Sequence, residues 1–369
     1  MPEFHSRFEK IDRRVPIDEH NCAVQFDVTK CKNCTLCRRA CADTQTVLDY
    51  YSLSSTGDMP ICVHCGQCSS ACPFGAIVEV NDVDKVKAAL KDPEKIVIFQ
   101  TAPAVRVGLG EAFGMDPGTF VEGKMVAALR TLGADYVFDT DFGADLTIME
   151  EATELLHRLQ SEEIPIPQFT SCCPAWVEFA ETFYPDLLQH LSSTKSPISI
   201  LSPVIKTYFA QQKNIDPKKI VNVCVTPCTA KKAEIRRPEL SAAGLFWDEP
   251  EIRDTDICIT TRELAQWIQD ENIDFANLED GQFDKAFGEA SGGGRIFGNS
   301  GGVMEAAIRT AYHMFTGRPA PKDFIPFEPV RGLQGVKKAT VIFGHFVLHV
   351  AAISGLGNAR AFIDDLIKN

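Results

Sequence analysis

Cys31-Lys32-Asn33-Cys34-Thr35-Leu36-Cys37-Arg38-Arg39-Ala40-Cys41 and Cys62-Val63-His64-Cys65-Gly66-Gln67-Cys68-Ser69-Ser70-Ala71-Cys72 repeat one spacing, C-x2-C-x2-C-x3-C, and hold eight of the chain's 14 cysteines. The short gaps place three thiolates around one iron-sulfur cube, and the longer last gap sends the fourth thiolate to a second cube. One cluster takes Cys31, Cys34, Cys37 and Cys72; the other takes Cys62, Cys65, Cys68 and Cys41. Zinc seldom needs four cysteines at such short, repeated gaps, and disulfides between cysteines crowded into one turn are strained. Electron transfer is the first inference.

Outward from these runs, residues 22–80 are too short and cysteine-dense to build much apolar core, so clusters must supply much of the stabilisation there. The expectation is an α+β ferredoxin-like module; its second run ends Cys72-Pro73, as bacterial ferredoxin runs do, whereas the first ends Cys41-Ala42. A helical connector with Val83, Val86, Ala89 and Leu90 on one stripe follows. Residues 95–100, KIVIFQ, read as a buried strand, after which Pro103 suits the first turn of a helix running toward Phe113. Further strands are expected over 135–138, 220–225, 340–343 and 347–353, and helices over 145–160, 261–270 and 303–315. Strands alternating with helices indicate an α/β domain with its site where strands hand over to helices. The expected division is residues 1–82 and 83–369.

The 369 residues are 45% hydrophobic and 24% charged, ordinary for a globular protein. A net charge of −13 argues against nucleic acid or an anionic membrane as partner. No apolar run approaches the ~20 residues of a membrane span. The opening MPEFHSRFEKIDRR lacks the apolar centre of a secretory signal, so no export address is read. Thiolate ligands need a reducing compartment during assembly, which points to the cytoplasm, with export on a partner subunit as the other route.

Chemistry concentrates in two further segments. In Thr170-Ser171-Cys172-Cys173-Pro174-Ala175-Trp176 the vicinal cysteines cannot easily ligate one cluster together; one binds metal while its neighbour stays free as an acid-base thiol. In Thr226-Pro227-Cys228-Thr229-Ala230-Lys231-Lys232-Ala233-Glu234, a lysine three residues after a ligand cysteine can donate to anionic cluster ligands. Glu151 lies on the stripe of Ile148, Ala152, Leu155 and Leu159, where a carboxylate needs a partner or a raised pKa. The plainer alternative is that Glu151 and Glu154 flank that stripe and reach water. The glycines of 288–302 lack the lysine and hydroxyl residue that close a phosphate-binding loop. Cys22, Cys224 and Cys258 read as isolated, the last two as small buried residues, and His64 as a neighbour of its cluster.

These segments, with Thr101-Ala102-Pro103-Ala104-Val105-Arg106, resemble the iron-iron hydrogenases over nearly the whole chain. TSCCPAW is similar to the family's first active-site motif and PCTAKKAE to its second, with Thr226 where the family usually has methionine. The resemblance implies an H-cluster: a 4Fe-4S cube bridged by a cysteine sulfur to a diiron unit carrying carbon monoxide, cyanide and an azadithiolate. It implies Cys173 and Cys228 as ligands of the cube, Lys231 as a cyanide donor, and Ala102, Pro103, Thr226 and Pro227 around the cofactor. It also implies a proton path from Cys172 through Glu151, Ser192 and Glu154. The implied activity is reversible oxidation of hydrogen, with electrons passing through both 4Fe-4S clusters to ferredoxin or another iron-sulfur subunit. One such partner is the formate dehydrogenase of a hydrogen-dependent carbon dioxide reductase.

The family's third motif, C-x3-C followed by glycines, is absent from these residues, so an incomplete H-cluster is expected. A longer polypeptide, a completing subunit and a lost activity are the three accounts, in that order. The competing functions are a non-catalytic iron-sulfur protein resembling the prelamin recognition factor-like assembly factors, and a hydrogen sensor. Retention of Cys172, Lys231, Glu151 and Glu154 tells against the first, and the lack of a sensory domain against the second.

Overall fold

The computed structural model describes residues 13–161, 164–329 and 335–368. Packing divides the chain into two units, Met1–Val80 with Gly355–Asn369, and Asn81–Ser354. The expected boundary after residue 82 therefore moves to Val80, and the last 15 residues, expected in the second domain, belong to the first unit. Among the described residues no helix is long and apolar enough to cross a membrane.

In the first unit, β1 (Val24–Phe26) pairs antiparallel with β2 (Ile77–Glu79). Val15, Val24, Ala42, Leu48 and Ile77 form a small core, against which Cys37, Cys41, Cys68 and Cys72 pack. The sequence repeat is also a backbone repeat. Asn33 and His64, each two residues after a run's first cysteine, have φ of 53° and 57°; Thr35 and Gly66, two further on, have 72° and 71°. Left-handed backbone here turns amides onto sulfur, and the N–H groups of Asn33 and His64 donate to Cys31 Sγ and Cys62 Sγ at 3.3 and 3.4 Å. His64 is thus a turn residue whose amide reaches the Cys62 sulfur.

The second unit is built on a parallel sheet ordered β4-β3-β5-β6, from β3 (Ile96–Thr101), β4 (Tyr136–Asp139), β5 (Ile220–Thr226) and β6 (Ile257–Thr260). Its central strands are runs of Val, Ile and Phe because both faces are covered. One face packs against the Val83–Lys91, Glu122–Thr131 and Thr261–Asp270 helices through Val97, Phe99, Val223 and Val225. Ile98, Phe138 and Ile220 meet Leu201, Ile205 and Phe209 on the other. Cys224 and Cys258, read as isolated, face each other across β5 and β6 with their thiols in contact. A separate sheet joins β7 (Glu328–Pro329), β8 (Val336–Phe343) and β9 (Phe346–Ile353).

The helix expected over 145–160 begins earlier and runs Thr140–Gln160, with Asp139 accepting from the Asp141 amide at its start. It crosses the Pro197–Val204 helix so closely that a Cβ at Gly143 would strike the Pro197 carbonyl. The helix expected from Pro103 to Phe113 is instead a single turn, Val105–Gly108, followed by a tighter one, Leu109–Phe113.

Candidate functional site at the carboxyl edge of the parallel sheet

From β3 the chain moves to β4 on one side, and β5 then joins β3 on the other, so a crevice opens beyond the carboxyl ends of β3 and β5. The Ala102 amide still donates to Val225 O at 2.9 Å. Pro103 and Pro227 follow, and without N–H groups they end the pairing and let the chains splay apart. That divergence leaves Ala102-Pro103 half-buried on one wall and, on the other, exposed Pro227 and half-buried Cys228 beyond the buried Thr226.

Cys173 sits at the start of the Pro174–Phe183 helix, with Pro174 in its first turn. Trp176 Nε1 donates to Thr170 O at 3.1 Å and Ser171 Oγ to Thr194 O at 2.8 Å, which fixes the loop that presents both cysteines. Cys173 is exposed, while Cys172 and Cys228 are half-buried. Burial raises the Cys228 thiol; Lys231 offsets part of this and a charged Cys173 adds to it, so the two thiols share one space. These are the ligand types a cube needs, but two of the four. The site is therefore a fitting half-set, and Cys224 and Cys258, buried in the sheet, cannot extend it.

Lys231 Nζ donates to Cys172 O at 3.0 Å and to Glu234 Oε2 at 2.5 Å. Burial works against its charge, but Glu234, Cys228 and Cys172 outweigh that and raise its pKa. Glu234 is anchored by the hydroxyls of Ser196 and Ser199, each 2.5 Å from its Oε1. Lys232 turns the other way, donating to Asp82 Oδ2, Cys258 O and Glu263 Oε1 at 2.7, 2.8 and 3.1 Å. The cationic pair is thus one site lysine and one structural lysine.

Glu151 is 1% exposed, and neither carboxylate oxygen has a hydrogen-bond partner in the structure. Burial, then the charge of Glu154, pushes its pKa up to about 8. Cys172 is raised well above the ordinary thiol range by burial first and by the charge of Glu151 second. Ser192 Oγ donates to Glu154 Oε2 at 2.6 Å. Arg158, four residues on, holds Glu154 Oε1 at 2.7 Å and also binds the carbonyls of Pro165, Gln189 and Leu191. Arg158, Glu234, Ser196 and Ser199 escaped the sequence reading; only Arg158, one turn after Glu154 on the same helix, carried a local signal.

In the first unit, a cavity is lined by Cys31, Cys34, Cys37 and Cys72, the crossed set expected from spacing. Cys68 feels the charges of Cys62, Cys65 and Cys41, which gathers the second set. No trio of His, Cys, Asp or Glu among the described residues is arranged around a single metal ion. Thiolates ringing a cavity fit a cube instead. A separate cavity of about 760 Å3 opens beside Pro103, with Arg106, Glu122, Asp139 and Asp141 in its lining and none of Cys172, Cys173, Cys228 or Lys231.

Residues 95–369 match the iron only hydrogenase large subunit, C-terminal domain, and residues 58–78 match a 4Fe-4S binding domain. The NADP-reducing hydrogenase subunit HndD of Solidesulfovibrio fructosivorans is 47% identical over 91% of this chain and 59% of its own length. Iron hydrogenase 1 of Clostridium pasteurianum is 44% identical over 95% of this chain and 62% of its own length. The chain thus spans about three fifths of these two relatives. More distantly, the cytosolic iron-sulfur assembly component 3 of Bos taurus is 30% identical over 83% of this chain and 65% of its own length. An apo variant of the [FeFe]-hydrogenase HydA1 from Chlamydomonas reinhardtii superposes with a TM-score of 0.69, at 40% identity, over 77% of this chain and 78% of that one. By the match over residues 95–369 and the 47% identity to HndD, the chain belongs to the iron-only hydrogenase large-subunit family.

Proposed function

We propose that this chain carries the proton path, half of the cube's thiolates and the electron outlet of an enzyme that interconverts hydrogen with protons and electrons. The carrying observation is that Cys172, Cys173, Cys228, Lys231 and the Glu151, Ser192, Glu154 series converge from distant segments. The H-cluster, held in part by Cys173 and Cys228, supplies the hydrogen chemistry when bound. The chain's own work is proton handling. Cys172 Sγ gives its proton toward the Glu151 carboxylate, whose raised pKa lets it both accept and release near neutrality. Ser192 Oγ lies on Glu154 Oε2, and Arg158 keeps that carboxylate in place toward the half-exposed end of the path. Lys231, fixed by Glu234 and Cys172 O, presents its remaining N–H to an anionic ligand.

Electrons leave through two 4Fe-4S clusters, ligated by Cys31, Cys34, Cys37 and Cys72 and by Cys62, Cys65, Cys68 and Cys41, to ferredoxin or an iron-sulfur partner subunit. A formate dehydrogenase complex is one such partner, and thiolate assembly favours the reducing cytoplasm. A non-catalytic assembly role, suggested by the more distant relatives, has no use for a buried acid beside Cys172. Iron and sulfide quantification with infrared spectroscopy tests the reading. The isolated chain should bind two cubes and show no carbon monoxide or cyanide bands, and once its remaining thiolates are supplied it should gain those bands and dye-coupled hydrogen uptake. A completed protein with the bands and no uptake would refute the activity.

A further inference from the structure

We propose that Cys224 and Cys258 form a further sulfur site, a buried dithiol that hydrogen peroxide closes to a disulfide, tying the strand that leads to Cys228 to its neighbour. The proposal does not depend on how the iron-sulfur clusters are held. Its ground is strand register. β5 and β6 run parallel with Cys224 opposite Cys258, between the pairs Val223–Ile257 and Val225–Ile259. Side chains alternate across a strand. Val223, Val225, Ile257 and Ile259 enter the core on one face of the sheet, and both cysteines turn to the other, where they pack together with Ile198 and Ile235. Neighbouring strands lie about 4.8 Å apart. That falls inside the roughly 4.4–6.8 Å between Cα atoms that a disulfide spans.

Both thiols are free and buried. A buried cysteine alone can serve as a small apolar side chain, but two in register on one face can also share a bond. The hydrogen bond to Cys224, then burial, holds the Cys258 thiol well above its ordinary range, so the pair rests protonated and reduced. Access comes from a cavity of about 280 Å3 whose lining runs from exposed Lys85 and Arg236 to buried Lys232 and Cys258. Hydrogen peroxide, little larger than water, fits that route.

The chemistry balances with peroxide as the oxidant. The Cys258 sulfur attacks one peroxide oxygen, the O–O bond breaks, and the departing hydroxide takes the thiol proton and leaves as water. The Cys224 sulfur then attacks the sulfenic acid so formed; the S–S bond closes, and the oxygen leaves with the second proton as another water. Two thiols lose two electrons and the peroxide gains them. The loop this bond closes contains Cys228, Lys231 and Lys232, and Lys232 Nζ already donates to Cys258 O at 2.8 Å. Oxidation therefore braces the segment that carries the site.

The test treats the folded 369-residue chain with hydrogen peroxide, raised until the exposed Cys34 and Cys173 are oxidised, then alkylates the remaining thiols in denaturant and maps tryptic peptides by mass spectrometry. Cuts after Lys219, Lys231, Arg253 and Arg262 leave Cys258 alone in one peptide and Cys224 beside Cys228 in another. The two peptides should be found joined, and joined still in Cys228→Ser, which leaves Cys224 as the partner. Dithiothreitol should part them. In urea the joined chain should hold a folded-to-unfolded ratio about 10²–10³-fold above the reduced chain, a gain that Cys258→Ala given the same peroxide should lack. Alkylated Cys258 in the peroxide-treated wild type would overturn the proposal. So would a link that is lost in Cys228→Ser, or one that forms as fast in the urea-unfolded chain. Should Cys258→Ala fail to fold, the wild-type peptide map and its reversal by dithiothreitol decide.

Discussion

The eight-cysteine module and the sheet-edge site hold sulfur in opposite ways. In the module, two short runs supply eight cysteines, and a local backbone that is left-handed at Asn33, Thr35, His64 and Gly66 aims the Asn33 and His64 amides at Cys31 and Cys62. At the sheet edge, two thiolates come from a helix start and a strand end, and their surroundings come from further segments: Lys231, Glu234, Ser196 and Glu151. The first arrangement is written in spacing. The second exists only after the sheet has formed.

The comparison breaks most visibly at Cys41. Cys41→Ser should empty the second cluster and leave the first, halving bound iron, whereas Cys22→Ser should leave iron unchanged; iron and sulfide assays read both. Loss of the cluster at Cys31, Cys34 and Cys37 instead would undo the crossed assignment. At the sheet edge, Glu151→Gln in the completed enzyme should cut dye-coupled hydrogen uptake by about 10²–10⁴-fold, because it keeps the shape and removes the titrating group. Undiminished turnover would take Glu151 off the path.

A subtler contrast is in pH dependence. The folded protein holds the Glu151 proton up to about pH 8, against an ordinary carboxyl value of 4.5, so between those limits the folded state binds more protons than the unfolded. Stability must then fall as pH rises through that window, by roughly 4–5 kcal/mol for this group when complete. Urea denaturation of wild type and Glu151→Gln at the two ends of the window should show a shallower decline in the variant; parallel curves would mean that Glu151 is not the buried acid described here. Asp141, raised to about 7 by burial and then by Asp139, keeps some slope in both.

Arg158→Leu takes the cation from Glu154, which keeps only its Ser192 and Ser193 donors, and strands three carbonyls, and should cost about 3–5 kcal/mol in the same assay. The smallest effect belongs to Thr226. Its hydroxyl accepts from the Cys228 amide at 3.4 Å, and Thr226→Val should cost about 0.5–1.5 kcal/mol without altering the sheet.

The strand over residues 95–100 and the stripe of Ile148 and Ala152 were legible because burial writes itself as apolar runs and periods. Glu151 stood out for the same reason, as the acid on that stripe. Other features left no local trace. Cys224 and Cys258 are neighbours only because β5 and β6 are parallel and in register. The docking of the final helix left no local trace, because its partners, Gln45 and Thr46, lie some three hundred residues away in sequence.

By itself the sequence determined that two cysteine runs repeat one spacing and which strands are buried, since both follow from distances along one chain of fixed bond geometry. Only the tertiary structure decided that Lys231 faces the site and Lys232 the interior, that Arg158 grips Glu154 and Arg360 the loop after Cys41, and that the last helix belongs with the first unit. Those choices depend on which buried charge finds which partner, and a buried charge is satisfied through space, by whatever the fold brings within hydrogen-bond reach.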